Sequence, residues 1–498
     1  MRALPMMIQG TQSDAGKSTI AAALCRIFSE DGWKTTPFKS QNMANNSYIT
    51  RDGKEIGRAQ GVQAEAAGID ADTDMNPILI KPSGEARAQI VVHGKPLRTM
   101  EAGEYRQDYY ETGLQVIEAA YRRLESTYER IVIEGAGSPA EINLNDRELV
   151  NMKVAEIADA PVILTADIDR GGVFANIVGT LQLLNEKERT RIVGIIINKF
   201  RGDISLLQPG LDWLEEYTGK PVLGVLPFIE DLAIEEEDSL GIDRVRQKKS
   251  GAVIEIAVIA YPRVSNYTDI DPFLYEPDCN VRFVKERKEL GKPDIIILPG
   301  SKSTISDLMY LKKKGFDTAL REAADASFIF GVCGGYQMLG KKVTDPGQVE
   351  SSVKEIEGLG FFPTMQTEVE KEKNTIRTSG WLQWQGRMQE VSGYEIHMGT
   401  TKHAEASWMK KENGEAEGAL NQKAAGTYMH DVFHNDKFRH ALLNELRDIK
   451  GVPPIERPFF HELREASFSK LADNFREHID MEALEASITN FRQKGVDL

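Results

Sequence analysis

Apolar residues in this chain gather in short runs separated by stretches of helical spacing. Residues 3–10 form a largely apolar run closed by Gly10. Ile20, Leu24, Ile27 and Phe28 then recur at i, i+4, i+7 and i+8. This predicts a buried strand followed by an amphipathic helix over 17–30. Further strand-like runs are Ile131–Ile133, Val162–Leu164, Ile192–Ile197 and Val222–Leu226, with helical stretches between them. A second series begins with Ile254–Ile259, Ile295–Leu298 and Phe328–Phe330. Strands that are apolar throughout and alternate with helices predict an α/β fold, each domain having a mainly parallel sheet covered on both faces.

Between the two series the pattern breaks. Glu235-Glu236-Glu237-Asp238 is followed by Arg244, Arg246, Lys248 and Lys249, a charged stretch with little to bury. The expected organisation is a first domain over 1–232, a linker over 233–250, a second domain over 251–445, and a helical extension over 446–498 packing on the second domain. The tail after 455 carries a charged helical pattern and reads as a packing or homo-oligomer element. The length of 498 residues agrees with two to three domains at about 150 residues each.

The formal charge of −15 argues against a nucleic-acid groove or an anionic membrane patch as the main function. Three widely spaced cysteines, Cys25, Cys279 and Cys333, make neither a disulfide framework nor a metal-ligand spacing. The N-terminal apolar stretch is too short for a signal peptide, and no run reaches the ~18 apolar residues of a membrane span. The expected compartment is reducing cytoplasm.

Two segments carry chemistry. The first strand runs into Gly10-Thr11-Gln12-Ser13-Asp14-Ala15-Gly16-Lys17-Ser18, and a helix starts there. Backbone N–H groups in such a loop point at phosphate oxygens, aided by the helix N-terminus. Thr11, Asp14, Ala15, Gly16, Lys17, Ser18 and Thr19 are the expected nucleotide contacts, with Lys17 on the terminal phosphates and the Ser18 hydroxyl on Mg²⁺. Gly10 stands one residue earlier than the strict loop pattern requires, and this variant resembles the dethiobiotin synthetase class of P-loop proteins. Glu134, closing the strand at Ile131–Ile133, is the expected carboxylate for the metal. Asn198 ends Ile195–Ile197 in the same way and is assigned to the adenine edge.

The second segment is Phe330-Gly331-Val332-Cys333-Gly334-Gly335-Tyr336-Gln337. An apolar strand, a cysteine at the turn, two glycines and a helix make a nucleophile elbow, and the helix start favours a thiolate. A thiolate attacking a carboxamide needs a base and an oxyanion hole. Backbone N–H groups of Gly334 and of Gly300, in Leu298-Pro299-Gly300-Ser301-Lys302, are the expected oxyanion donors. His430, ending Gly426-Thr427-Tyr428-Met429-His430, is the expected base, and His434 is its rival.

Longer strings make a resemblance specific. They are Pro37-Phe38-Lys39-Ser40-Gln41-Asn42-Met43, Gly57-Arg58-Ala59-Gln60 with Gln63, and Asn76-Pro77-Ile78-Leu79-Ile80-Lys81-Pro82. Ser138-Pro139-Ala140-Glu141-Ile142-Asn143-Leu144, Ala166-Asp167-Ile168-Asp169-Arg170-Gly171-Gly172 and Gly393-Tyr394-Glu395-Ile396-His397-Met398-Gly399 continue the set. Over nearly its full length the chain resembles the cobyric acid synthase family, with a P-loop NTPase-like first domain and a flavodoxin-like, class I glutamine amidotransferase-like second domain. The resemblance implies ATP- and Mg²⁺-dependent amidation of the b, d, e and g carboxylates of adenosylcobyrinic acid a,c-diamide. Glutamine would be the ammonia donor and acyl phosphates the intermediates, with ammonia travelling by a sheltered path. Asp146, just past Asn143-Leu144, is the candidate for positioning the corrinoid carboxylate or the ammonia. Ordinary class I amidotransferases carry Glu two residues after the histidine; here that position is Val432, and the orientation of His430 has no source in the sequence. Cobyrinic acid a,c-diamide synthase is built from the same two modules, but the strings at 37–43, 57–60 and 76–82 favour the former family. A P-loop switch with a non-catalytic docking domain is a further alternative, and such a switch has no need of the thiol.

Overall fold

The computed structural model describes residues 3–84, 87–230, 232–234, 249, 251–455 and 459–493. Most of the linker expected over 233–250 lies outside the described residues. The chain separates into two compact units, and neither is continuous. The first comprises Met1–Ala44, Glu55–Ile234 and His461–Leu498; the second comprises Asn45–Lys54 and Glu235–Phe460.

The first unit is built on strands β1 (Leu4–Gly10), β2 (Thr35–Phe38), β3 (Arg130–Glu134), β4 (Val162–Asp167), β5 (Ile192–Phe200) and β6 (Val222–Pro227). They form a parallel sheet in the order β6-β5-β4-β1-β3-β2. The order reverses on either side of β1, so the carboxyl end of β1 is a topological switch point, where open α/β sheets bind ligands. The helix Lys17–Glu30 starts there, and its buried residues include Ile20, Leu24, Ile27 and Phe28, the side read from the spacing.

The second unit contains β7 (Ile254–Ile259), β8 (Cys279–Val284), β9 (Ile295–Leu298), β10 (Phe328–Val332), β11 (Phe362–Trp384), β12 (Arg387–Lys402), β13 (Ala419–Leu420), β14 (Ala424–Thr427) and β15 (Met429–His430). One sheet runs β8-β7-β9-β10-β14-β13, parallel except for the last pair. Beside it stands a second, largely antiparallel sheet centred on the long β11–β12 hairpin, which the apolar pattern did not announce. The run 426–430 read as one strand is two: β14 belongs to the parallel sheet, and β15 pairs with β12 in the other. His430 is therefore delivered where the two sheets meet.

Two expectations about domain limits are corrected. The segment 45–54, placed in the first domain by sequence order, belongs to the second unit. The tail does not pack on the second half from 461 onward. Its helices Phe460–His478 and Met481–Gln493 send Phe468, Leu471, Phe475, Leu484 and Ile488, with Ile479 from the turn between them, into a core shared with Met6, Ile8, Leu24 and Phe28. An amphipathic pattern shows that a helix has a face to bury, and not which core receives it. Phe475 is fully enclosed there, so Phe475→Ala is expected to destabilise the first unit by about 3–5 kcal/mol. Denaturant unfolding followed by fluorescence checks this.

Candidate active sites

In the first unit the loop from Gly10 to Ser18 leaves β1 and turns into the helix through Gly16. Gly16 has φ 93°, and a Cβ there would lie 2.0 Å from the Asn198 amide nitrogen. Only glycine meets both demands. Lys17 Nζ donates to Gln12 O at 2.9 Å and Gly137 O at 3.1 Å, so the ammonium lies across the mouth of the loop. The turn holding Gly137 is set by Asn151, which donates to Ala136 O and accepts from Ala136 N.

Glu134 is buried at the end of β3 and fully engaged. Its Oε1 accepts from Ser18 Oγ at 2.7 Å and Lys39 Nζ at 3.0 Å, and its Oε2 from Gln63 at 2.6 Å and Gln60 at 3.3 Å. Burial alone would raise this carboxyl's pKa; the Lys39 charge and the donated hydrogen bonds outweigh it and hold the pKa below the usual range. The structure thus gives roles to Lys39, Gln60 and Gln63, which the sequence offered only as letters in strings.

Asn198 Nδ2 donates to Ala15 O at 3.0 Å, and Lys199 N donates to Asn198 Oδ1 at 2.9 Å. Lys199 Nζ donates to Asp14 O at 2.5 Å and to the buried Asp167 at 2.9 Å, while Arg170 pairs with the Asp14 carboxylate at 3.0 Å. The string Ala166–Gly172 is therefore part of the scaffold that fixes the loop. Asp146 lies on an exposed stretch, in a short 3₁₀ turn, and pairs with Arg106.

In the second unit Cys333 sits between β10 and the short helix Gly334–Leu339, with φ 51° and ψ −109°. This backbone conformation is costly for a residue with a Cβ, and it aims the side chain out of the turn. The turn is held on both sides: Cys333 N donates to Thr427 O at 2.8 Å, and Gly335 N donates to Pro299 O at 3.0 Å. A Cβ at Gly335 would lie 2.0 Å from Leu298 O, so the helix can approach β9 only with glycine there. The thiol itself donates to Ile396 O at 3.4 Å.

His430 is wholly buried at the same spot. Its Nδ1 donates to Asp269 Oδ2 at 2.8 Å, and the other oxygen of Asp269 accepts from Asp431 N at 2.7 Å. With Nδ1 engaged, Nε2 has no hydrogen-bond partner among the described residues, and Cys333 is near enough to act on the charge of the ring. Burial favours the neutral ring, but the Asp269 carboxylate and then Cys333 outweigh it and raise the imidazole pKa to about 10. Asp269 is the functional residue that the sequence did not reveal. It lies 161 positions before His430, in a one-turn helix at Tyr267–Ile270. Val432 is buried and apolar, so the carboxylate found elsewhere two residues after the histidine is supplied here by a different element. The rival His434 donates through Nε2 to Thr268 O and does not join the pair. His397 stacks on Tyr428 at 3.8 Å. Gly300 pairs with Ser265, and the direction of its missing side chain points within 3.2 Å of the His430 ring. Cys25 is buried inside the first helix, and burial pushes its thiol pKa far up, as befits a packing residue.

Comparison with known proteins finds a family match for each half of the chain. Residues 6–241 match the CobQ/CobB/MinD/ParA nucleotide binding domain, and residues 255–438 match the CobB/CobQ-like glutamine amidotransferase domain. The chain is 55% identical to the cobyric acid synthase of Geobacillus sp. (strain WCH70), covering 99% of this chain and 100% of that protein. It is 53% identical to that of Geobacillus kaustophilus, covering 98% of each, and 48% identical to that of Dehalococcoides mccartyi (strain CBDB1), covering 97% and 98%.

The ion pair makes a pH prediction. A histidine whose pKa rises on folding, here from 6.5 to about 10, contributes stability that is fully present below pH 6.5 and lost as pH climbs through 10. Asp269→Asn is therefore expected to destabilise the second unit most at pH 6, with the difference shrinking toward pH 10. Urea unfolding of both proteins across that range checks the sign.

Proposed function

Since the chain belongs to the cobyric acid synthase family of amidating ligases, we propose that it converts adenosylcobyrinic acid a,c-diamide to adenosylcobyric acid by amidating the b, d, e and g carboxylates, with glutamine and ATP as co-substrates. The observation that carries this reading is the Cys333–His430–Asp269 arrangement in a chain that also holds a phosphate loop with a buried, ionised Glu134.

The thiolate of Cys333 attacks the side-chain carbonyl of glutamine. Oxygen takes the charge, and the N–H groups of Gly334 and Gly300 are the donors assigned to it. His430 gives its Nε2 proton to the departing nitrogen, which leaves as ammonia, and the ring then draws a proton from water as the thioester is hydrolysed to glutamate. Asp269 holds the ring in the tautomer and orientation both transfers need.

A carboxylate is a poor acceptor for ammonia because oxide would have to leave. Attack by a corrinoid carboxylate oxygen on the γ-phosphorus of ATP releases ADP and gives an acyl phosphate; ammonia displaces phosphate and forms the amide. Lys17 and the loop amides neutralise the charge on the transferring group. Asn198 has spent one of its two amide hydrogens on Ala15 O of the loop and one oxygen lone pair on the adjacent Lys199 N–H, leaving a donor and an acceptor for the adenine edge. Ser18 Oγ and Glu134 Oε1 are hard oxygens 2.7 Å apart, a donor set that fits Mg²⁺ with its remaining positions filled by water and phosphate. When bound there, Mg²⁺ would screen the β- and γ-phosphate charge. Asp146 is the residue proposed to position the carboxylate or the ammonia.

Cys333→Ala is expected to lose glutamine-dependent amidation by on the order of 10³-fold or more, while added ammonia still supports the reaction. Lys17→Ala should lose both. Corrinoid products resolved by mass spectrometry test this, and normal use of glutamine by the Cys333 variant would overturn the reading. Asp146→Asn is expected to slow amidation with either nitrogen source; unchanged rates for all four carboxylates would remove Asp146 from the site.

A further inference from the structure

The thiol and the imidazole of the second unit rest on a segment that sequence order assigns to the first. Residues 45–54 leave the first unit at Ala44, re-enter it at Glu55, and fold with the second. Among the described residues, Ile49 is buried in a small cluster with Tyr394 and Ile396. Each of those two touches a reacting group. The Tyr394 ring stacks on His430, with centroids 5.0 Å apart and planes 17° from parallel. The carbonyl of Ile396 accepts the Cys333 thiol.

The segment is anchored around that cluster. Ser47 N donates to Asn266 Oδ1 at 2.9 Å, and Asn266 directly precedes the one-turn helix bearing Asp269. Arg377 Nε donates to Ile49 O at 2.9 Å, and its guanidinium lies over the Tyr48 ring at 5.3 Å. A turn closes the segment, with Thr50 N donating to Lys54 O at 2.8 Å and Gly53 N to Thr50 O at 3.0 Å.

We propose that Ile49 is a positioning residue for glutamine hydrolysis: its side chain wedges Tyr394 against His430 and Ile396 against Cys333, setting the distance over which the proton moves. The inference rests on the reading of Cys333 and His430 given above. It follows from packing. A stacked ring fixes the plane of its neighbour only if it is itself held in place, and Ile49 is buried in the same cluster as Tyr394. Neither Ile49 nor Tyr394 exchanges protons; each acts through the groups it holds.

The test compares Ile49→Ala, Ile49→Val and Arg377→Gln in the full chain. Ile49→Ala is expected to lower kcat for glutamine hydrolysis about ten-fold with KM within about two-fold, because binding survives and alignment does not. Ile49→Val should recover most of the rate. Arg377→Gln loosens the segment without opening a cavity, remains informative if Ile49→Ala folds poorly, and should cost about three-fold. Carbamidomethylation of Cys333 by iodoacetamide at pH 6, located by peptide mass mapping, should slow in parallel, since at that pH a rapidly reacting thiolate requires its paired imidazolium. ATP consumption driven by added ammonia and corrinoid should stay within about two-fold of the parent. Unchanged kcat and unchanged alkylation in Ile49→Ala would overturn the proposal. So would an equal loss of the ammonia-driven reaction, which would make the segment a structural support alone. A parent protein that alkylates rapidly at pH 6 yet releases no ammonia from glutamine would sink the functional reading, while the alkylation rates would still decide the role of Ile49.

Discussion

An imidazole with no solvent contact holds a proton only if negative charge is buried beside it. The Asp269–His430 bond meets that condition, and much of the second unit is arranged around it. Asp269 needs its own second partner, found at Asp431 N. His430 needs a strand that stops at the junction of two sheets, and β15 is that strand, only two residues long. The cysteine needs a backbone conformation that resists relaxation, and the Thr427 and Pro299 carbonyls pin it on either side. The polar atoms around this pair are tied to backbone groups, which is how a buried charged site keeps one geometry.

The first unit meets the same problem with a different solution. Glu134 has no single ion partner that accounts for it; four donors from the loop helix and two flanking segments share the two oxygens. An ionised carboxylate held by several donors can exchange one of them for a cation or phosphate-bound water without being left uncompensated. The loop above it is similarly braced, through Asn198 and the Lys199–Asp14–Asp167 links.

Sequence made local arrangements legible. The strand–loop–helix at Gly10–Ser18, the elbow at Cys333 and the histidine at 430 are patterns of adjacent residues, and adjacency survives folding. Glu134 was readable because a carboxylate closing a strand beside the loop has a fixed place in a parallel sheet. Asp269 was not readable: an Asp in a short turn far upstream of the histidine carries no mark until packing brings it near. The β11–β12 hairpin was missed because its exposed face is polar and its length exceeds that of ordinary strands. The periodicity of the tail marks it as helical but does not say where it docks, because periodicity describes one surface while docking depends on two.

The path of the chain has a consequence for how such a protein is assembled by evolution. The chain leaves the first unit at 44, returns at 55, leaves after 234 and returns at 461. A gene severed near residue 235 would encode neither unit whole. The downstream product would lack the isoleucine that packs with Tyr394 and Ile396, and the upstream product would lack the helices that complete its hydrophobic interior. Recombination that exchanges one half for a relative's must therefore respect four crossover points rather than one, which favours inheritance of the whole reading frame as a single block.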